Sequence, residues 1–371
     1  MAINYEAREW RDDEIGGTEI DSTALNHMEQ GISEACAGVD LLNSKLLTYL
    51  VESEGDTAEQ DVNGTAILEP CYVYDIEKGT VYFAPGGGAQ RIAPFPTAGE
   101  VAESSEYPYQ LEAGLYKGRD LAATFSKEIS GYGDVWEWLQ ARTKAGDFSG
   151  IRIGDYIDIT LTDNVPFRAL VAAIDPYFGC ADTGHERGHH VVMIASEPVV
   201  VTGSYAVNDG YIKWNASATN QGTSSEKHPY LASQLHKWET EVFYNLLPQE
   251  VRDRITVHRA LLEERYSSSG GLTESGGWIW ADLGTVWSPS EMEVYGCTVW
   301  GTKGWSVGYD TQFPIFRNTK DRINCARVSW WLRVVLGGSS SYVCYVSSYG
   351  LASYSSASYD WIRPRPCFLI G

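Results

Sequence analysis

The segment His185-Glu186-Arg187-Gly188-His189 has the residue types and spacing of a catalytic metal site. Read as H-E-x-x-H, it sets two zinc-ligating imidazoles beside a general-base glutamate, the equipment of a metal-dependent hydrolase. That chemistry needs a helix, because only there do residues i and i+4 meet on one face. Gly184 and Gly188 break the segment, and a β-branched run, Val191-Val192-Met193-Ile194-Ala195, follows at once. Two glycines and no room for a helix predict a hairpin loop, with His189-His190 leading into a strand. A zinc hydrolase built on His185, Glu186 and His189 is therefore kept only as an alternative. No G-x-S-x-G elbow, Cys/His nucleophile signature or acidic metal loop is evident elsewhere. Gly86-Gly87-Gly88 lacks the GK[ST] and the βαβ context of a phosphate loop, and reads as a flexible connection. Glu263-Glu264 and Asp12-Asp13 read as solvated charges, and His236 and His258 as surface helix residues. No enzyme and no cofactor is expected.

A second pattern suits binding rather than catalysis. Between Trp330-Trp331-Leu332-Arg333 and Trp361–Ile370 lies VVLGGSSSYVCYVSSYGLASYSSASYD, residues 334–360. Tyrosine supplies broad amphipathic contact at low entropic cost, and Ser and Gly supply adaptable polar contacts, the composition of a paratope. A Ser/Tyr linker is the plain alternative, but linkers seldom begin on a double tryptophan or end on a strand as apolar as CFLI. Tyr342, Tyr345, Tyr349, Tyr354 and Tyr359 are candidate aromatic anchors, and Ser339, Ser340, Ser347, Ser355 and Ser356 candidate polar contacts. Strand alternation along Tyr342–Val346 turns at least one of these tyrosines inward. Trp305 and Tyr309 flank the site or join the core. Trp330, Trp331, Leu332 and Cys367–Ile370 are expected to be buried and to fix the loops between them. Arg333, Arg363 and Arg365 suit bidentate pairing with acidic groups of that frame.

These residues need elements to carry them. At 371 residues and 43% hydrophobic content, with 13 tryptophans, the chain has material for two or three cores. A formal charge of -21 and a pI near 4.7 argue against a nucleic-acid partner. No apolar run approaches the ~20 residues that cross a bilayer. The start lacks the basic and apolar regions of a signal peptide, which points to synthesis in a cytoplasm. Seven cysteines without a CxxC pair favour free thiols, leaving open a disulfide among Cys297, Cys325, Cys344 and Cys367.

From Leu25 through Met28, Ile32, Ala35, Val39, Leu42 and Leu46 to Tyr49, apolar or small residues recur in alternating three- and four-residue steps. That predicts a self-associating coiled coil over Leu25–Tyr49. Strands are predicted at Cys71–Tyr74, Val81–Phe83, Ile151–Leu161, Phe167–Ile174, Val191–Ala195 and Val199–Val201. Helices are predicted at Asp134–Lys144 and Tyr230–Leu247, the second ended by Pro248.

Two resemblances complete the reading. Trp10, Thr18-Glu19-Ile20 and LNHMEQGI at Leu25–Ile32 make the start similar to tail-fibre and baseplate-associated proteins of phages infecting Gram-positive bacteria. The stretch 147–371 resembles the C-type-lectin-like variable domains encoded beside diversity-generating retroelements. The residues that carry this are IRIGDYIDI, Ser233–Trp238, WSPSEMEVYG at Trp287–Gly296, the WWLR phrase and the terminal RPRPCFLI. The resemblance implies a virion receptor-binding protein, commonly trimeric, with a face varied by adenine-directed mutagenesis over about 324–361. It implies a host cell-surface protein or glycan as ligand, other virion proteins at the N-terminus, and no membrane insertion. The calcium motif of sugar-binding C-type lectins is missing, as is the catalytic cysteine pair of the formylglycine-generating relatives. The expected organisation is α+β: an attachment segment and coiled-coil helix over 1–55, a β-rich middle region over 56–130, and a lectin-like domain over 131–371. A structural virion component without a diversified site is the competing function.

Overall fold

The computed structural model describes residues 50–51, 71–75, 80–84, 92–95, 115–303 and 311–371. The heptad stretch Leu25–Tyr49, Asp12-Asp13, Gly86-Gly87-Gly88, Trp305 and Tyr309 lie outside the described residues. The chain divides into two compact units, Met1–Glu106 and Tyr107–Gly371. In the first, β1 (Leu50–Val51) pairs in parallel with β2 (Cys71–Asp75), and β3 (Thr80–Ala84) and β4 (Ile92–Phe95) extend the sheet antiparallel. The β-branched and aromatic runs YVY and TVYF are thus strands.

The second unit is α+β. It begins at Tyr107, ahead of the boundary expected at 131, and the reason is packing. Leu121, on the short helix Leu121–Thr124, is fully buried, and Asp120 bridges to Tyr156. Buried Asp155 binds the guanidinium of Arg119 at 2.9 Å and accepts the Tyr116 hydroxyl at 2.5 Å. Helix α1 (Val135–Lys144) starts where Asp134 accepts the N–H groups of Trp136 and Glu137 at 2.7 and 2.8 Å. That satisfies two of the donors every helix start leaves open. Trp136, Trp138 and Leu139 are its buried apolar side chains, and Arg142 and Thr143 are buried with them.

The main sheet runs β11 (Val286–Trp287), β15 (Cys367–Ile370), β7 (Val191–Ala195), β6 (Pro166–Ile174), β5 (Tyr156–Thr160), all antiparallel, with β8 (Ile255–Thr256) also on β15. Every residue of β7 and β15 is buried, which is why both read as unbroken apolar runs rather than alternating ones. The expected strand over Ile151–Leu161 shrinks to β5, because Gly154 takes a left-handed φ of 91° just before it. Val199–Val201 forms no strand.

The predicted helix over Tyr230–Leu247 is broken in two. Ser233 leaves the helical region with ψ 157° and caps the second piece by accepting the His236 N–H at 3.0 Å. The second piece then passes through a π-turn at Trp238–Phe243. A two-stranded ribbon, β9 (His258–Glu264) with β10 (Gly277–Gly284), precedes helix α2 (Glu291–Tyr295). A three-stranded sheet, β12 (Trp330–Val335), β13 (Tyr342–Val346) and β14 (Ala352–Ser356), follows. The Ser/Tyr stretch is therefore two strands and their turns. It is not a linker.

Candidate functional site

The WWLR phrase forms the floor of the site. Trp330, Trp331 and Leu332 are fully buried, as are the four residues of β15. Their polar groups are paired: Trp330 Nε1 donates to the Arg322 carbonyl at 3.1 Å and Trp331 Nε1 to the Ile212 carbonyl at 2.8 Å. Trp331 N–H donates to the Arg363 carbonyl, tying the start of the stretch to its end.

Buried charges brace this floor. Arg333 forms a two-pronged pair with Glu293, at 2.5 and 2.8 Å, with the Arg333 side chain 5% exposed and that of Glu293 fully buried. Glu293 also closes a capping box with Ser290 at the start of α2 and accepts the Tyr177 hydroxyl at 2.5 Å. Gly296 ends α2 at a left-handed φ of 75°, which a side chain would strain. Arg365 is buried too, but three carbonyls hold it, those of Ala195, Asp321 and Ser196, rather than a carboxylate. Burial pushes its pKa down to about 10. Arg363 stacks on Tyr211, with 4.8 Å between the guanidinium carbon and the ring centre. Among the described residues, Arg333 alone of these three arginines pairs with an acid.

Two polar residues read as surface groups are core. Glu263 lies in β9 beside Arg265 at 3.6 Å, accepts the Ser275 hydroxyl, and has its pKa raised by burial. Arg265 is fully buried and donates to Thr302 Oγ1 at 2.5 Å and to the Leu336 and Ser339 carbonyls, so it fixes the loop after β12. His258 is buried between the rings of Tyr177 and Trp287, at 4.4 and 4.5 Å. Among the described residues neither of its nitrogens has a hydrogen-bond partner. His236 is half-buried, and its Nε2 lies 2.7 Å from the Leu283 carbonyl.

Pairing register sorts the candidate contacts by face. Tyr342 stands opposite Ser356 and Cys344 opposite Tyr354, so these four share one side. Val343 opposite Ser355 and Tyr345 opposite Ser353 share the other. On the second side Val343 is fully buried and Tyr345 packs edge-on against Trp331 at 6.0 Å. Tyr345 is thus the one of the five candidate tyrosines that is not exposed, while Cys344 and Val346 are fully buried on the side of Tyr342 and Tyr354, and Ser355 is half-buried like Ser356. Tyr342, Tyr349, Tyr354 and Tyr359 are exposed, Tyr349 most of all at 69%.

The other serines mainly build turns. Ser347 Oγ accepts the N–H groups of Tyr349 and Leu351 at 3.3 and 3.2 Å, locking the β13–β14 turn. Ser356 Oγ accepts from Ser358 N, and Ser339 Oγ from Ser341 N. The Ser340 carbonyl takes the Asn220 N–H at 3.1 Å.

Two exposed residues beside these tyrosines carry no signal in the sequence: Trp300 and Leu351. Trp300 and Tyr354 have ring centres 5.0 Å apart, and Tyr342 and Tyr354 5.9 Å. Trp361 lies 5.3 Å from Tyr211. No local pattern marks Trp300, a lone aromatic between Val299 and Gly301.

The H-E-x-x-H segment forms no helix. His189 Nδ1 lies 2.6 Å from Asp175 and its ring stacks on Phe178 at 4.4 Å, while Glu186 accepts the Gly184 N–H. His190 is fully buried on the Tyr177 ring. Among the described residues no group of three or more His, Cys, Asp or Glu is placed to hold a metal. Cys297, Cys325, Cys344 and Cys367 are all free, which excludes the disulfide left open above.

Residues 191–371 match a family model described as a domain of unknown function, DUF6273. No curated protein and no solved structure matches the chain.

Proposed function

We propose that the second unit is a ligand-binding module that attaches a phage or prophage virion to its host cell surface. The single observation that carries this reading is the division of labour in residues 330–370. Trp330, Trp331, Leu332, Val343, Cys344 and Val346 are fully buried, while Tyr342, Tyr349, Tyr354 and Tyr359 of the same sheet and turns stand in solvent. Such a surface tolerates substitution at the exposed positions without loss of the fold, because surface changes away from special features cost within about 0.5 kcal/mol.

The scaffold in this proposal is C-type-lectin-like. Two features support it: the terminal strand β15 lies inside the main sheet, and the small β12–β14 sheet carries the Ser/Tyr stretch. The virion setting and diversification over 324–361 rest on the sequence resemblance. In this reading the heptad at Leu25–Tyr49 assembles a trimer, and three faces on one assembly raise avidity by about 10²–10⁴ over a single site when the target is multivalent.

The test is attachment of the full chain to host cells after Tyr349→Ala combined with Tyr354→Ala. A loss of about tenfold or more with an unchanged melting temperature is expected. Unchanged attachment would favour a purely structural virion component. Diversification is tested in the DNA beside the gene, by a near-copy of the codons for Trp330–Gly371 that differs at adenines.

A further inference from the structure

The exposed rings at the binding face do not all come from the Ser/Tyr stretch. Trp300 belongs to the turn after α2 and is fixed from below. Its backbone N–H, with those of Val299 and Gly301, points at the buried Glu291 carboxylate, at 3.1, 2.8 and 2.9 Å. A carboxylate gathering three backbone N–H groups holds a turn rigidly. The indole N–H then donates to the Ala352 carbonyl at 3.2 Å, and the Trp300 carbonyl accepts the Gly337 N–H at 3.1 Å. Trp300 is thereby tied to β14 and to the loop after β12, yet 43% of it remains exposed. Holding a large ring half in solvent with every polar group satisfied is an arrangement for contact.

The chemistry around Trp300 narrows what it contacts. Residues 339–361 contain one charged side chain, Asp360, and the turn at 297–302 contains none. A charged group laid on these rings meets no opposite charge from those two segments apart from Asp360, and loses its hydration. The net charge of -21 adds repulsion against anionic polymers. The Trp300, Tyr354 and Tyr342 rings touch one another, with centres 5.0 and 5.9 Å apart, so no gap remains between them for a caged cation. Outer faces are what they offer, bordered by tyrosine and serine hydroxyls. An uncharged pyranose has the matching form, an apolar C–H face edged by hydroxyls.

We infer that Trp300 is a fixed stacking platform of the binding face, positioned by Glu291, and that the ligand taken there is an uncharged polysaccharide of the host surface. The inference rests on the binding-face reading above and names its ligand class. The probes are immobilised neutral hexose and N-acetylhexosamine oligosaccharides, with uronic-acid and phosphorylated counterparts alongside, and host cells treated with periodate or with protease. The full chain is expected to bind at least one neutral probe and none of the acidic ones. Trp300→Ala should weaken that binding about tenfold or more, and Trp300→Phe by less, since a smaller ring still stacks. Attachment should vanish after periodate and survive protease. Attachment that survives periodate and is abolished by protease overturns the inference while leaving the binding face in place. Neutral binding unchanged in both correctly melting Trp300 variants removes the platform. Attachment indifferent to Tyr349→Ala with Tyr354→Ala would instead remove the binding face itself.

Discussion

Glu293→Ala is the most informative single perturbation of the frame. The substitution deletes both prongs of the pair with Arg333, at 2.5 and 2.8 Å, in a place where the Arg333 side chain is 5% exposed and that of Glu293 fully buried. It also deletes the acceptor of the Tyr177 hydroxyl and the Glu293 half of the Ser290 capping box. Removing one partner of a buried pair costs about 3–5 kcal/mol, because the surviving charge stays buried without its counter-ion. Against a typical total of about 5–15 kcal/mol, that is a large share of the domain's stability. With a urea slope of about 2–3 kcal/mol/M, the unfolding midpoint should fall by roughly 1–2.5 M. The readout is tryptophan fluorescence, to which the buried Trp330 and Trp331 contribute among the chain's 13 tryptophans. Replacing both partners, Glu293→Gln with Arg333→Met, should recover much of the loss, since no buried charge is then left without its counter-ion and the amide oxygen can still accept the Tyr177 hydroxyl. A midpoint shift below about 0.4 M for Glu293→Ala, the size of an exposed ion pair, would refute the claim that this pair braces the site.

Two further outcomes follow from buried titratable groups. Burial, reinforced by the nearby Arg333, Arg187 and His190, holds the pKa of His258 well below 6.5. The folded state then keeps His258 neutral while the unfolded chain takes up a proton, so stability present above pH 6.5 declines as pH falls below it. The melting temperature should drop between pH 7.5 and 5, and His258→Phe should flatten that slope; an unchanged slope would rule His258 out as its source. For the cysteines, burial raises the thiol pKa of Cys344 and Cys367, whereas Cys297 and Cys325 are exposed. Iodoacetamide followed by peptide mapping should label Cys297 and Cys325 in the native protein, and Cys344 and Cys367 after denaturation.

What the sequence made legible was local. Val191–Ala195 and Cys367–Ile370 are apolar without interruption, and both are strands inside the main sheet. Asp134 ahead of an apolar period marks α1 to within one residue, because capping is decided by neighbours three positions away. The break at Ser233 was hidden, since Ser is tolerated inside a helix and its role as a cap depends on how 229–246 packs. Glu263 and His258 were misread for a related reason. Burial of a polar side chain is settled by partners distant in sequence. For Glu263 one such partner is Val335 N–H at 3.4 Å, in β12. For His258 it is the Trp287 ring in β11.

The proposed binding face shows the same limit from the other side. Composition marks a stretch of paratope-like residue types, but it treats Tyr and Ser as equally available to a ligand. Packing separates them: Tyr345 lies edge-on against Trp331 and is not exposed, and Ser347, Ser356 and Ser339 commit their hydroxyl oxygens to the turns that hold the loops. A serine that accepts a backbone N–H is already part of the frame, so replacing Ser347 should disturb the placement of Tyr349 and Leu351 before it disturbs any ligand. The exposed rings are what remains free to differ. Trp300 belongs with them in space though it lies outside the stretch in sequence. A face built from a fixed ring, exposed tyrosines and serines committed to turns can change its contacts while its backbone stays put, because Arg333, Arg265 and Glu291 hold that backbone from beneath.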